Sequence, residues 1–176
     1  IETERLRLRA FQPADAADYA RVIFSDADVM RYMNVSGIVP ARPALHAANI
    51  IAKRQDEWRS RGYSAWAVER QADGAFVGHV GLYIIDGTDV VEIGYALGRA
   101  YWGYGYAAEA ARAALGYAFT VHGLDEIVAV AFPQNVPSQR VMQKLGMTDC
   151  GLTNAYYGLT LVCYKLTRAD FLGAGT

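Results

Sequence analysis

The chain has only two cysteines, Cys150 and Cys163, and their spacing matches neither a metal site nor a disulfide framework. They read as two reduced, partly buried thiols, and no metal is expected. Charge of one sign is missing too: 17 basic and 18 acidic side chains leave a formal net charge of −1. Nothing global therefore attracts nucleic acid or an anionic membrane, and neither is expected as a partner. No apolar run approaches the ~20 residues that span a bilayer. Residues 1–30 also lack the charged-then-apolar layout of a signal peptide. Repeats, low-complexity tracts and linker-like stretches are absent, so no internal boundary suggests itself. What is present is 176 residues, 53% hydrophobic and 20% charged, enough for one sizeable core. The expectation is a single soluble cytoplasmic domain over 1–176, a monomer or a homodimer.

The local patterns alternate in type along the chain. RLRLRAF (5–11) places Arg outward and Leu inward, the mark of a half-buried strand. Residues 13–24 read as a helix with Pro near its start and acids in its early turns. Residues 25–40 read as irregular, and 41–58 as a longer helix closed by Arg61-Gly62. Strands follow at 63–70, 75–85 and 89–97, separated by the turns Ala72-Asp73-Gly74 and Asp86-Gly87. A helix is expected at 107–121, with Ala107, Ala110, Ala111, Ala114, Leu115 and Ala118 on one face. After Gly123 come a buried strand at 127–132 and a helix at 136–145, N-capped by Asn135 and ended by Gly146. Strands at 148–154 and 159–166 pair through the NAYYG turn. The order is that of an α/β domain whose antiparallel first half joins a β-α-β unit requiring parallel strands.

The stretch AYWGYGYAAEAARAALGYAF (100–119) opens a helix from a glycine loop, the usual way of holding phosphate, yet it contains no lysine. A P-loop is excluded because Gly-Lys-Ser/Thr does not occur at the helix mouth. Gly103-Tyr104-Gly105-Tyr106-Ala107-Ala108 fits G-x-G-x-x-G/A literally, but Gly98–Trp102 intervene after the strand. The next strand also lacks a closing acid for a ribose, since Asp125 and Glu126 precede it. Two readings stay open for the loop. Main-chain N–H groups at the positive end of the helix hold an anion, or the glycines only make a tight connection.

A second segment, AFPQNVPSQRVMQKLGM (131–147), runs from a buried strand through Asn-x-x-Ser-x-x-Val to Lys-Leu-Gly-Met. Taken with Glu92-Ile93-Gly94-Tyr95, Trp102-Gly-x-Gly-Tyr-Ala-x-Glu109-Ala and the opening Thr3-Glu4-Arg5-Leu6-Arg7-Leu8-Arg9, it closely resembles the GNAT acetyltransferase superfamily. More narrowly it resembles the branch of the RimJ/RimL-like ribosomal-protein N-terminal acetyltransferases. The resemblance covers nearly the whole chain in order and spacing. It implies an α/β fold with a mixed, splayed, seven-stranded sheet flanked by about four helices. It also implies acetyl-CoA as cosubstrate, wedged where the fourth and fifth strands diverge. Main-chain groups at Tyr95, Ala96 and Leu97 would pair with the pantetheine arm. The loop of Trp102, Gly103, Tyr104, Gly105, Tyr106 and Ala107 would hold the pyrophosphate. This chain departs from the family pattern at its first loop position, where Trp102 replaces a cation or amide. Asn135 and Ser138 would face the thioester. The family's tyrosine acid falls at Met142 here, so Ser138 could instead hydrogen-bond the departing thiolate, whose pKa near 8.5 makes a full proton donor dispensable.

The implied reaction is direct transfer to a neutral amine, with a backbone N–H of the fourth strand stabilising the oxyanion. An α-amino group, pKa about 7.7–8, loses its proton more readily than lysine at about 10.4. That favours a protein or peptide N-terminus as acceptor, with a small amine or a non-catalytic acyl-CoA-binding module as alternatives. Glu92 is the leading candidate base, against the reading of a paired strand carboxylate, and His79 is second, against a structural histidine. The related ribosomal enzymes carry a carboxylate in the region where this chain has Tyr157, so that assignment does not transfer. His122 reads as a helix-end cation and His46 has no functional reading. The acceptor pocket is expected from residues 25–40, the following helix and the Asn154–Gly158 turn, with Tyr32, Met33, Tyr156 and Tyr157 at its mouth.

Overall fold

The computed structural model describes residues 1–33 and 38–173. A seven-stranded mixed sheet runs in the order β1-β2-β3-β4-β5-β7-β6. The strands are β1 (Leu6–Ala10), β2 (Ala65–Arg70), β3 (Phe76–Ile84), β4 (Val91–Leu97), β5 (Glu126–Ala131), β6 (Thr148–Thr153) and β7 (Leu161–Thr167). The helices are α1 (Ala16–Tyr19), α2 (Ala27–Met30), α3 (Pro43–Arg61), α4 (Tyr106–Thr120), α5 (Val136–Lys144) and α6 (Arg168–Gly173). β1 to β3 form an antiparallel meander. β4 and β5 pair in parallel, Glu92 opposite Val128, which a helical crossover between them requires. β7 returns antiparallel to both β5 and β6.

Each element starts and stops for a local reason. Leu6 and Leu8 are buried on β1 while Arg7 between them is exposed, as the period-two pattern demands. α3 begins on Pro43 and ends at Gly62, whose φ of 74° is costly for any side chain. α5 is capped by Asn135, whose side-chain oxygen accepts the Ser138 N–H at 3.3 Å. Two short helices go beyond the sequence reading. α2 lies within the stretch expected to be irregular, capped by Asp26, which accepts from the N–H groups of Asp28 and Val29. α6 follows β7, where Thr167 accepts from the Asp170 N–H at 3.1 Å and donates to its carboxylate at 2.6 Å. The first helix also continues as a π-helical stretch over Ala20–Phe24.

The chain forms two compact units, Ile1–Gly81 with Tyr95–Ala110, and Leu82–Gly94 with Ala111–Thr176. The first has an aromatic core around Tyr19, with ring centroids at 4.8 Å from Phe11, 4.7 Å from Phe24, 5.8 Å from Phe76 and 5.4 Å from His79. Arg9 grips Asp15 and Glu69 at 2.6–2.7 Å. The second packs α5 on β5 and α6 on β7. Ile127, Leu115, Phe119, Met142 and Tyr164 are fully buried there. Of its two thiols, Cys163 is buried on β7, whereas Cys150 is exposed on β6 rather than partly buried. Burial, with Cys150 nearby, raises the Cys163 thiol above its ordinary pKa.

Two outcomes follow from this packing. In the folded protein one thiol, Cys150, reacts with a disulfide reagent, and the second titrates only on unfolding. The other outcome concerns pH. Burial, assisted by the Arg54 charge, pushes His79 down to about 3. It is therefore neutral when folded but protonates when unfolded, near pH 6.5. The resulting stability is complete above about pH 6.5 and is lost as pH falls, at most about 1.4 kcal/mol per pH unit. Carboxylates add a second decline. Burial alone would raise Asp15, Glu57 and Glu109, but hydrogen bonds from Arg9, from Ser64 and Arg54, and from Thr3 and Arg5 carry them below the usual range. Their stabilisation is complete above the unfolded value of about 4 and is lost below it. Melting temperatures measured from pH 7 to 3 should show both declines, and His79→Gln should remove the upper one alone.

Candidate active site

The glycine loop begins where β4 ends. Leu97 is buried, and the Gly98 N–H donates to Val77 at 2.9 Å. A side chain on Gly98 would come within 2.5 Å of Val22, so the chain must be bare there. After a single 3₁₀ turn at Arg99–Tyr101, Trp102 folds back and its indole N–H donates to the Leu97 carbonyl at 2.7 Å. The residue standing where the family has a cation or amide thus braces the loop onto the strand end. Gly103 and Gly105 both have φ of 83°, and among the described residues nothing lies within 4 Å of a Cβ placed on Gly103. Their requirement is backbone conformation, and the space beside Gly103 is open. α4 starts at Tyr106, with N–H groups in its first turn that have no intrahelical acceptor.

The loop is held from outside by the N-terminal segment. Glu109, in the first turn of α4, accepts from the Thr3 hydroxyl at 2.6 Å, the Arg5 N–H at 2.9 Å and the Arg5 guanidinium at 2.7 Å. Arg5 also donates to the Tyr104 carbonyl at 3.0 Å and lies 4.8 Å over the Tyr106 ring. Tyr104 and Tyr106 stack at 5.6 Å. A shallow surface pocket of about 450 Å³ beside Tyr106 is lined by Glu4, Arg5, Arg70, Gln71 and Ala72. Of the expected site residues it includes Tyr106 alone.

At the start of α5, Asn135 and Ser138 meet through the cap just described, and Pro137 occupies the first turn. Gln139 reaches back to the Pro133 carbonyl at 2.8 Å, which fixes the β5-to-α5 connection. Met142, four residues after Ser138, is buried at 1% exposure and belongs to the core. No proton donor stands at that position.

Glu92 lies half-buried on β4, and its carboxylate accepts a 2.5 Å hydrogen bond from the Tyr157 hydroxyl. Burial raises the Glu92 pKa, opposed by the hydrogen bond from Tyr157. The Tyr157 phenol is itself raised by burial and by the Glu92 carboxylate, so it keeps its proton and donates. Tyr157 has φ of 57°, the non-glycine residue with positive φ among the described residues. Sequence reasoning placed Tyr157 at the acceptor mouth and did not see this pairing. The two are 65 positions apart, and only the register of the sheet can bring them together.

The remaining candidates separate. His79 is 7% exposed within the Tyr19 cluster, its Nδ1 at 3.3 Å from the Tyr19 hydroxyl, which is a structural position. His46 packs edge-on against Phe24 at 4.6 Å, and His122 follows α4 beside the Tyr117 ring at 5.2 Å. Tyr32 and Met33 are half-buried. Residues 34–37, also assigned to the acceptor pocket from sequence, lie outside the described residues. The Trp102 brace and the Glu109 cluster carried no local signal beyond the motifs containing them. The caps at Asp26 and Thr167 did carry one, a short acceptor side chain followed by acids, and mark α2 and α6.

Comparison with known proteins bears on this arrangement. The family model described as an acetyltransferase (GNAT) domain matches residues 5–148. YkkB of Bacillus subtilis (strain 168) is 37% identical over 149 residues, covering 84% of each chain. Among solved structures, a GNAT-family acetyltransferase from Bacillus anthracis superposes with a TM-score of 0.79 at 29% identity, covering 96% of this chain and 98% of that one. The RimL ribosomal L7/L12 alpha-N-protein acetyltransferase, solved in complex with coenzyme A, also gives 0.79 over 96% and 97% of the two chains. At 15% identity that is a likeness of fold alone. The seven-stranded sheet thus belongs to a known enzyme fold, and this chain is an N-acetyltransferase of the GNAT family.

Proposed function

We propose that the chain transfers the acetyl group of acetyl-CoA directly to an amine, with a protein or peptide N-terminal α-amine as the acceptor class. The observation that carries this reading is the loop at 102–107, where two left-handed glycines with open space beside Gly103 run into the first turn of α4. Such a loop offers main-chain N–H groups to a pyrophosphate without any lysine, which fits the coenzyme. Acetyl-CoA supplies an activated thioester carbonyl, and the chain's own groups do the rest. The N–H groups of Gly103 to Ala107 hold phosphate oxygens, while the indole of Trp102 keeps the loop tied to Leu97. The main chain of Tyr95 to Leu97 orients the pantetheine arm, and a β4 N–H faces the oxyanion. Ser138, fixed by Asn135, hydrogen-bonds the departing thiolate, and Glu92 accepts the proton of the attacking amine. An α-amine suits this machinery because its pKa of about 7.7–8 asks little of a single carboxylate.

The test is an acceptor panel with acetyl-CoA, following thiol release, in which short peptides with free α-amines compete with amino acids, amino sugars and lysine-blocked controls. Turnover confined to the peptides is expected, and turnover confined to the small amines overturns the acceptor assignment. Calorimetry with CoA should show binding at high micromolar concentration or better, and Gly103→Ala should weaken it about tenfold, because alanine at a left-handed φ costs ~1–2 kcal/mol. Ser138→Ala should lower kcat while leaving the KM for acetyl-CoA nearly unchanged. Unchanged kcat would remove the thiolate role.

A further inference from the structure

The β6–β7 connection contains a residue that its own backbone disfavours. Tyr156 to Leu159 form a tight turn, closed by the Leu159 N–H donating to the Tyr156 carbonyl at 3.2 Å. Both central residues are left-handed, Tyr157 at φ 57° and Gly158 at φ 66°. This is the pattern of a type I′ turn, whose first central position favours Asn, Asp or Gly. A tyrosine there costs about 1–2 kcal/mol relative to an unstrained conformation. The residue is 45% exposed, so core packing does not supply the reason for its presence. Its hydroxyl does: it ends 2.5 Å from a Glu92 carboxylate oxygen.

We infer that Tyr157 is the positioning residue of Glu92, held by a strained turn so that its hydroxyl fixes one carboxylate oxygen and leaves the other to receive the acceptor's proton. This rests on the reading of Glu92 as the proton acceptor. In the step itself the ammonium proton passes to the second oxygen of Glu92, freeing the nitrogen lone pair, while Tyr157 keeps its own proton throughout. The phenol remains protonated because burial, the hydrogen bond to Glu92 and the charges of Glu92, Asp86 and Tyr83 all oppose a negative charge there. From β5 the residue opposite Glu92 is the apolar Val128. On β7 the cation Lys165 is engaged by Glu126 at 2.9 Å. Tyr157 is thus the group that opposes burial at Glu92, favouring the ionised form of the carboxylate and orienting it.

The sign of the test follows. The hydrogen bond favours the ionised form, so removing it leaves burial unopposed and moves Glu92 upward. Carbon-13 NMR of side-chain-labelled glutamate in the free protein reads this without any acceptor, with the Glu92 signal assigned by its loss in Glu92→Gln. Tyr157→Phe should raise the Glu92 midpoint by about one pH unit. The acid limb of kcat/KM for peptide acetylation should move by the same amount, so that activity falls more at pH 6 than at pH 9. Tyr157→Asn, which suits the turn, should fold at least as stably as the parent and show the same upward shift. A merely structural tyrosine would change stability or kcat without moving either midpoint. An unmoved Glu92 midpoint in folded Tyr157→Phe and Tyr157→Asn overturns the inference. A midpoint that moves while the acid limb stays in place also overturns it, since the group positioned is then not the base. If the parent binds CoA yet acetylates no amine, the acetyl-transfer reading fails instead, and a shifted NMR midpoint still supports the contact.

Discussion

The carboxylate of Glu109 is the point on which the loop geometry depends. It stands in the first turn of α4 and takes hydrogen bonds from Thr3, from the Arg5 main chain and from the Arg5 guanidinium. A carboxylate at that end of a helix is favoured by the dipole. Here it also makes the amino-terminal segment part of the wall around a glycine loop. Arg5 extends the grip to the Tyr104 carbonyl, so the residue between the two glycines is held by the same guanidinium. Glycine permits the left-handed conformation at 103 and 105 but does not hold it, since it populates many others. The Arg5–Glu109 pair and the Trp102 indole supply the holding, one from each side of the loop.

Trp102 shows how one function can be served by a different chemistry at a motif position. A cation or amide there would reach a phosphate oxygen directly. An indole N–H aimed at the Leu97 carbonyl instead fixes the distance between the end of β4 and the start of the loop. In the function proposed above, the phosphate contacts then fall to the main chain, the division of labour that a lysine-free loop demands. The tyrosines are explained in the same terms: Tyr106 is buried under Arg5, and Tyr104 stacks on it while staying 60% exposed.

Much of the fold was legible because it is governed by local physics. Alternation in RLRLRAF, the left-handed glycines at 62, 74, 87, 123 and 146, and the Asn135 cap each mark a boundary through backbone conformation or unpaired N–H groups. The strand and helix limits accordingly agree within about three residues, the largest difference being the end of α3, expected at 58 and found at Arg61. α2 and α6 escaped notice because they are too short for hydrophobic periodicity to register, and only their caps announce them. The site was legible where its residues share a segment: Asn135 with Ser138, and Gly103 with Gly105.

By itself, then, the sequence determined the element order, the glycine loop at a helix start and the capped serine of α5, because each rests on contacts within a few residues. It also identified the family, since several motifs recur in one order over nearly the whole chain. The tertiary structure alone decided what those residues touch across long separations. It closed an aromatic core around His79, gave the Trp102 indole an acceptor in the Leu97 carbonyl, and gave Glu92 a partner in Tyr157. The physical reason is the same in each case. A side chain's chemistry is local, but its burial, its hydrogen-bond partner and hence its protonation are set by strands and helices that arrive from elsewhere in the chain.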